Sequence, residues 1–321
     1  MKCFSLITYR LSSFFLLFFF RGDVITLQEV ETDQFYNFFM PELKHEGYEG
    51  IFSPKSRAKT MSEQERKHVD GCAIFWRTSK FSLLKEHLVE FNQVAMSNAD
   101  GSKDMLNRVM TKDNIALAAL LETKDACWEN GQPSDPAAAR LPLLVATAHI
   151  HWDPEFCDVK LIQTMMLIEQ LKQITEETCK APSFRPGGGR MPDPSHIQLL
   201  LCGDFNSLPE SGVIEYLQKG RITANHGDFK DLMYKNTLQK MLSHSANEQY
   251  YTHPFKLSSV FDKTNMPYTN YTYDFKGMID YIFYPTNSMR PLGYLGPLSE
   301  DWLKENKVVG CPHPHITSGG S

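Results

Sequence analysis

The sequence predicts an α/β fold whose strand ends build a polar site, and two observations lead there. Four short apolar runs each carry a carboxylate or a histidine at or near one end: 24–30 with Glu29, 143–152 with His149 and His151, 197–201 leading into Asp204 and Asn206, and 277–283 with Asp280. Between them lie segments whose apolar residues recur every three or four positions, as on one face of a helix. An isolated acid in an apolar strand is costly to bury unless it is paired or metal-bound, so four such strands favour one divalent-cation site over unrelated accidents. With 321 residues, 42% of them hydrophobic and 12% aromatic, the chain can bury one substantial core, and one domain is expected.

Taken in order, residues 1–22 place Lys2 and Arg10 ahead of the apolar run 11–20, the outline of a signal peptide. The run is about half of the ~20 residues a membrane span needs, and no small-residue cleavage site precedes the strand with Glu29. We expect an atypical hydrophobic N-terminal segment, misleading as a signal and without stable membrane insertion; a secretory signal is the alternative. Residues 32–45 space Phe35, Phe38, Phe39 and Leu43 as a core-facing helix, capped by Thr32 and interrupted by Pro41. Residues 48–52 form a short strand, and 53–70 a charged loop that charge alone reads as solvated surface. Strands follow at 71–77 and 115–123, with a helix at 103–110 between them. The loop 124–141 carries no identifiable chemistry.

Beyond the second apolar run, 157–177 aligns Val159, Ile162, Met165, Met166, Ile168 and Leu171 along one helical stripe, expected to be core. Residues 178–195 read as a linker. Their Arg185-Pro186-Gly187-Gly188-Gly189-Arg190 run lacks the strand-then-helix setting of a phosphate loop. Helices are expected at 210–219, 231–242 and 300–306, with an aromatic and polar alternation at 268–275 suiting a strand or loop beside the site. His226, His244 and His253 receive no role.

A net charge of −5 argues against broad electrostatic attraction to nucleic acid, so any RNA contact must come from a local groove and metal ions. The seven cysteines are odd in number and lack CxxC spacing, which fits reduced thiols in an intracellular protein. In 203–209, Asp204 and Asn206 alternate with Phe205, so on an extended backbone both polar side chains share one face. A strand-end turn in which they merely cap the backbone remains the alternative.

LQEVE at 27–31, TAHIHWDP at 147–154, GDFNSLP at 203–209 and GMIDYIFY at 277–284 resemble the motif series of the exonuclease-endonuclease-phosphatase superfamily. The wording at 52–75, 151–166, 266–284 and 310–318 resembles more narrowly the carbon catabolite repressor four deadenylases, nuclease subunits of the mRNA-deadenylating complex. The resemblance covers roughly 23–318, leaving 319–321 as a Gly/Ser tail. It implies a DNase-I-like two-sheet sandwich flanked by helices, a fold that strands interspersed with helices also fit.

The resemblance further implies a Mg²⁺-dependent 3′-to-5′ exoribonuclease that shortens poly(A) tails, using two ions. Glu29 is expected as the principal metal ligand and as a substrate-side residue. Asp204 binds a second ion or orients and deprotonates water, His149 stabilises the phosphate, and Asn206 holds a phosphate oxygen or metal-bound water. Asp280 matches the family's acidic active-site residue. Glu65, Pro154, Asn270 and Phe275 match substrate contacts, where a planar Phe275 can stack on a base. Purely structural readings stay open: a satisfied core histidine at 149, a turn residue or idle sequon at Asn270, simple core at Phe275.

The partners implied are poly(A) RNA and, in full-length relatives, the deadenylation complex. No leucine-rich repeat precedes the domain, so that contact is expected to be absent. The location implied is cytoplasmic, with the nucleus as a second compartment. The family's upstream asparagine strand, and the Asp-His that follows HPHITS, have no counterpart here, so the fold is expected to be incomplete at both termini and activity impaired. A vestigial RNA-binding product and a phosphatase or phosphodiesterase on a non-RNA substrate are the other readings.

Overall fold

The computed structural model describes residues 22–128, 140–180, 194, 197–242 and 249–311. The signal-like segment up to Arg21, most of the loop 124–141, the linker beyond Lys180, His244 and the segment from Pro312 onward lie outside the described residues.

In chain order the strands are β1 Val24–Glu31, β2 Tyr48–Pro54, β3 Asp70–Arg77, β4 Phe81–Glu90, β5 Ile115–Thr123, β6 Pro142–His149, β7 Gln198–Asp204, β8 Arg221–Thr223, β9 Tyr250–Thr252, β10 Leu257–Ser259, β11 Asn270–Tyr271, β12 Lys276–Gly277 and β13 Asp280–Pro285. Two sheets hold most of them. The smaller has the order β1-β3-β2 and the larger β10-β13-β7-β6-β5-β4, with short pairs β8-β9 and β11-β12 outside. All pairings in the two sheets are antiparallel except β6 with β7.

The near-continuous apolar run of β5 is explained by burial on both faces. Its period of two sends Ile115, Leu117, Ala119 and Leu121 to the cluster shared with Ile74 and Trp76 of the smaller sheet. Ala116, Ala118 and Leu120 face the helices on the other side. A helical segment α1, residues 32–45, covers the outer face of the smaller sheet, where Phe35 stacks on Phe52 at 4.8 Å and on Phe75 at 5.5 Å. The layers are therefore helix, sheet, sheet, helix, the two-sheet sandwich the sequence implies.

Pro41 does not interrupt α1. A π-helical stretch, Phe35–Phe39, precedes it, and the Met40 N–H reaches back to the Phe35 carbonyl, so the proline's missing donor falls where the register has already slipped by one residue. The helix expected at 103–110 is present as Met105–Val109 and the one at 231–242 is shorter, Lys235–Met241. The elements not foreseen include the strands β4, β8, β9 and β10 and the helix α2, Phe91–Asn98. β4 is an edge strand with Leu84, Lys85, Glu86 and Leu88 exposed, so no alternation of apolar and polar residues announces it.

The helix α3, Cys157–Lys180, crosses over from β6 to its parallel neighbour β7. Met165 and Met166 are fully buried, as expected, yet in the first turns burial extends around the whole helix to Asp158, Gln163 and Thr164. These polar groups are satisfied: Asp158 takes a bidentate Arg108 at 2.7 and 2.8 Å and the Tyr234 hydroxyl at 2.6 Å, and Gln163 bonds Asn114 and the His151 N–H. A further helix, α4 (Gly212–Lys219), starts at a Ser211 cap and stops at Gly220, whose φ of 68° suits glycine.

His253, just past β9, donates through Nε2 to the Tyr216 carbonyl at 2.9 Å, while its Nδ1 is buried without a partner. Burial pushes this imidazole down to about 4. Between pH 4 and the ordinary value near 6.5 the unfolded chain binds a proton there that the folded chain does not, so this contribution is full above pH 6.5 and declines on acidification. Urea titrations should show stability falling between pH 7 and pH 4, by about 3 kcal/mol from this group, and His253→Gln should flatten the slope by about one proton.

Candidate active site

The register of the larger sheet aligns His149 with Asp204 across β6 and β7, and Asp204 with Asp280 across β7 and β13. Paired residues on neighbouring strands project to one face, so the three side chains form a row at one end of the sheet. His149 Nε2 lies 3.8 Å from Asp204 Oδ2. Close strand approach depends on Gly203, where an added Cβ would stand 2.4 Å from the Ala148 carbonyl oxygen. Asn114 holds the end of β6 by donating to the His149 carbonyl at 3.0 Å.

Glu29 reaches the row from the other sheet. Thr147, two residues before His149 and on its face, accepts a 2.7 Å hydrogen bond from Gln28 Nε2, which ties β1 to β6. The β1–β3 register shifts between Leu27 and Val30, and inside this bulge Glu29 has a left-handed backbone, φ 56°. Bulges re-aim side chains, and a left-handed non-glycine residue stores strain that persists only when its surroundings enforce it.

Burial first, then repulsion from Asp280 and Glu29, pushes Asp204 up to about 8, against the Asn206 N–H and Lys160. Burial and Glu29 also raise Asp280, although Thr269 Oγ1 donates to its Oδ2 at 2.6 Å. Burial, with Lys55 nearby, lowers His149 to about 4, so its ring is neutral; its Nδ1 is buried and has no partner. Hard oxygen donors that repel one another beside an uncharged imidazole fit a divalent cation. Among the described residues no group of three or more His, Cys, Asp and Glu side chains is arranged to hold a metal.

Asp204 and Asn206 do not share a face by strand alternation. Asn206 is left-handed at φ 46°, its N–H donates to Asp204 Oδ1 at 2.8 Å and its Nδ2 to the Ile150 carbonyl at 2.9 Å. The capping turn and the site are thus one structure, and Phe205 is fully buried edge-on to Phe283 at 5.6 Å. Asp280 opens β13, after a break in strand pairing at Met278 and Ile279.

Beside this row lies a cavity of about 490 Å³ bounded by Trp152, Pro154, Lys160, Asn206, Asn270 and Phe275. Pro154, Asn206, Asn270 and Phe275, expected as substrate contacts, therefore meet in one place, with Asn270 and Phe275 carried by the β11-β12 hairpin. Glu65 does not line it: exposed in a capping box, its Oε2 takes the Ser62 hydroxyl at 2.6 Å and the Ser62 N–H at 3.1 Å. Lys55 and Arg57 in the same loop are held by Asp70 at 2.6 and 2.7 Å.

Sequence reasoning missed Lys160, whose buried ammonium donates to the Asn206 carbonyl at 2.7 Å. The signal was present as charged and amide residues breaking the apolar stripe of α3. Thr269 left no signal, since a threonine in a loop is common.

Asp204→Asn keeps the acceptor for the Asn206 N–H and removes one of the crowded charges. Without divalent cations the variant should be more stable than the parent by about 1–3 kcal/mol. Millimolar Mg²⁺ should then raise the parent's melting temperature and leave the variant's nearly unmoved.

The sequence profile of the Endonuclease/Exonuclease/phosphatase family matches residues 9–302. The chain is 54% identical over 300 residues to the CCR4-NOT transcription complex subunit 6-like-B of Xenopus laevis, covering 92% of this chain and 54% of that protein. It is 41% identical over 308 residues to the CCR4-Not complex 3′-5′-exoribonuclease subunit Ccr4 of Mycosarcoma maydis, covering 93% and 42%. The chain thus spans about half the length of the curated relatives it matches. Its fold is similar to the crystal structure of ANGEL2, a 2′,3′-cyclic phosphatase, with a TM-score of 0.70 at 22% identity, covering 100% of this chain and 85% of that one. On this profile match over most of its length, the chain belongs to the Endonuclease/Exonuclease/phosphatase family.

Proposed function

We propose that the chain is a Mg²⁺-dependent 3′-to-5′ exoribonuclease of the deadenylase type, acting on poly(A). The observation that carries this reading is the row His149–Asp204–Asp280, met by Glu29 and opening beside a cavity with an aromatic rim. Among the described residues no helix is long and apolar enough to cross a membrane. Because similar proteins are named subunits of the CCR4-NOT complex, assembly with deadenylation factors in the cytoplasm and nucleus belongs to the same proposal.

Glu29 and Asp204 would hold the ions. Bound there, Mg²⁺ supplies charge neutralisation at the phosphoryl oxygens and the leaving alkoxide. The chain's own groups do the rest. Asp204 orients the attacking water, with Asn206 fixing the turn that aims it. His149, kept neutral, serves the phosphate as an N–H donor and not as a cation. Phe275 and Trp152, 38% and 68% exposed, offer ring faces to a base, with Pro154 as an apolar neighbour.

Purified chain with Mg²⁺ should shorten 3′ oligo(A) RNA, at the impaired rate the sequence leads us to expect, and spare oligo(U) and oligo(C), and EDTA should stop it. Glu29→Gln should lower the rate by about 10²–10⁴; Phe275→Ala should act mainly by raising KM. Equal trimming of oligo(U), or turnover of an inositol or lipid phosphate in its place, would assign the site to another substrate.

A further inference from the structure

His149 is held in the site without a hydrogen bond to its ring among the described residues. Nε2 stands 3.8 Å from Asp204 Oδ2, beyond hydrogen-bond reach, and Nδ1 is buried without a partner. The direction of the ring is therefore set by packing and by the backbone that carries it. That backbone leaves the sheet here: the β5–β6 ladder ends with Ala116 opposite Ala148, one pair short of His149. The buried polar groups of 149–151 must find partners elsewhere.

Two of them turn to the Asp204 loop. The Ile150 N–H donates to the Asp204 carbonyl at 2.9 Å, and the Ile150 carbonyl accepts Asn206 Nδ2 at 2.9 Å. The other two are joined by a pair of amides. Asn114 Nδ2 donates to the His149 carbonyl at 3.0 Å, Gln163 Oε1 accepts the His151 N–H at 3.0 Å, and Gln163 Nε2 donates to Asn114 Oδ1 at 3.3 Å. A carbonyl only accepts and an N–H only donates, so the two ends of this bridge dictate which way both amides face. Both amides are buried, and neither residue lines the cavity.

We infer that Gln163 and Asn114 are positioning residues, whose amide bridge sets where the His149 ring meets the phosphate. The inference rests on the role proposed above for His149 and deepens it. Lys160, one turn before Gln163 on α3, holds the Asn206 carbonyl at 2.7 Å, so the same helix spaces the strand end with His149 from the turn that carries Asp204. A displacement of about 1 Å at such a group can cost about 10²-fold in rate.

Gln163→Met keeps the length of the side chain and removes both of its bonds. Its first readout needs no turnover. In chain labelled with ¹³C at histidine Cε1, the His149 resonance is identified among the eleven histidines by its loss in His149→Ala. It should be single and sharp in the parent and shifted or broadened in Gln163→Met. Thr164→Val, the next residue on α3, removes a buried hydroxyl that donates to the Lys160 carbonyl at 2.9 Å and should leave the resonance in place. On oligo(A) with Mg²⁺, Gln163→Met should lower kcat by about tenfold to a hundredfold at nearly unchanged KM. In a His149→Ala background the same change should alter kcat by less than about twofold while lowering the melting temperature as it does in the parent. Asn114→Leu cuts the bridge at its other end and carries the same expectations should Gln163→Met not fold. An unmoved His149 resonance in the folded variant, or equal losses of kcat with and without His149, overturns the inference. If the resonance moves as expected but the parent does not trim oligo(A), the deadenylase reading falls and the bridge to His149 stands.

Discussion

Asp204 and Asp280 sit side by side on β7 and β13, and much of the structure serves to hold two buried carboxylates where each repels the other. Such a pair is unfavourable by itself. It is held by the strand register, by Thr269 bonding one member, and by the Asn206 N–H and the Lys160 charge acting on the other. Glu29 adds a third negative group from across the sandwich. In the empty protein a proton relieves the repulsion, with Asp204 pushed up to about 8, and a bound cation would relieve it in the proton's place.

Rigid supports surround this point. The bulge at Glu29 and the turn at Asn206 both use left-handed non-glycine residues, conformations that need enforcement. Gln28 and Thr147 anchor the first, and Asp204, Ile150 and Lys160 anchor the second. Beneath both, the polar first turns of α3 are locked to Asn114, Arg108 and Tyr234 inside the core, so the crossover helix positions the cavity wall as firmly as it packs the sheet. Burial raises Cys72 to about 12 and Cys202 to about 11, and these two act as small core residues.

The cavity beside the row is built differently. Its walls come from the loop after β6, the start of α3, the turn before α4 and the β11-β12 hairpin, with Trp152 and Phe275 exposed at the edge. Loops on a fixed scaffold can change the substrate read without disturbing the metal-side chemistry.

The apolar runs ending in Glu29, His149, Asp204 and Asp280 were enough to name the site strands, because burial of an acid in such a run is a local anomaly visible in any window of sequence. Helix positions followed from periodicity for the same reason, and β4 escaped because an exposed edge strand has no apolar pattern to show. What the sequence could not decide was how the runs meet. The one-residue alignment of β6, β7 and β13, the bulge that turns Glu29 inward, and the use of Lys160 and Asp228 as cavity walls all depend on groups far apart in the chain, such as Gln28 with Thr147 and Gly212 with Asp228. By itself the sequence determined which residues are candidates for the chemistry and on which kinds of element they lie. Which of them face one another was decided only by tertiary packing, because register and close approach are set by contacts between strands that no local pattern encodes.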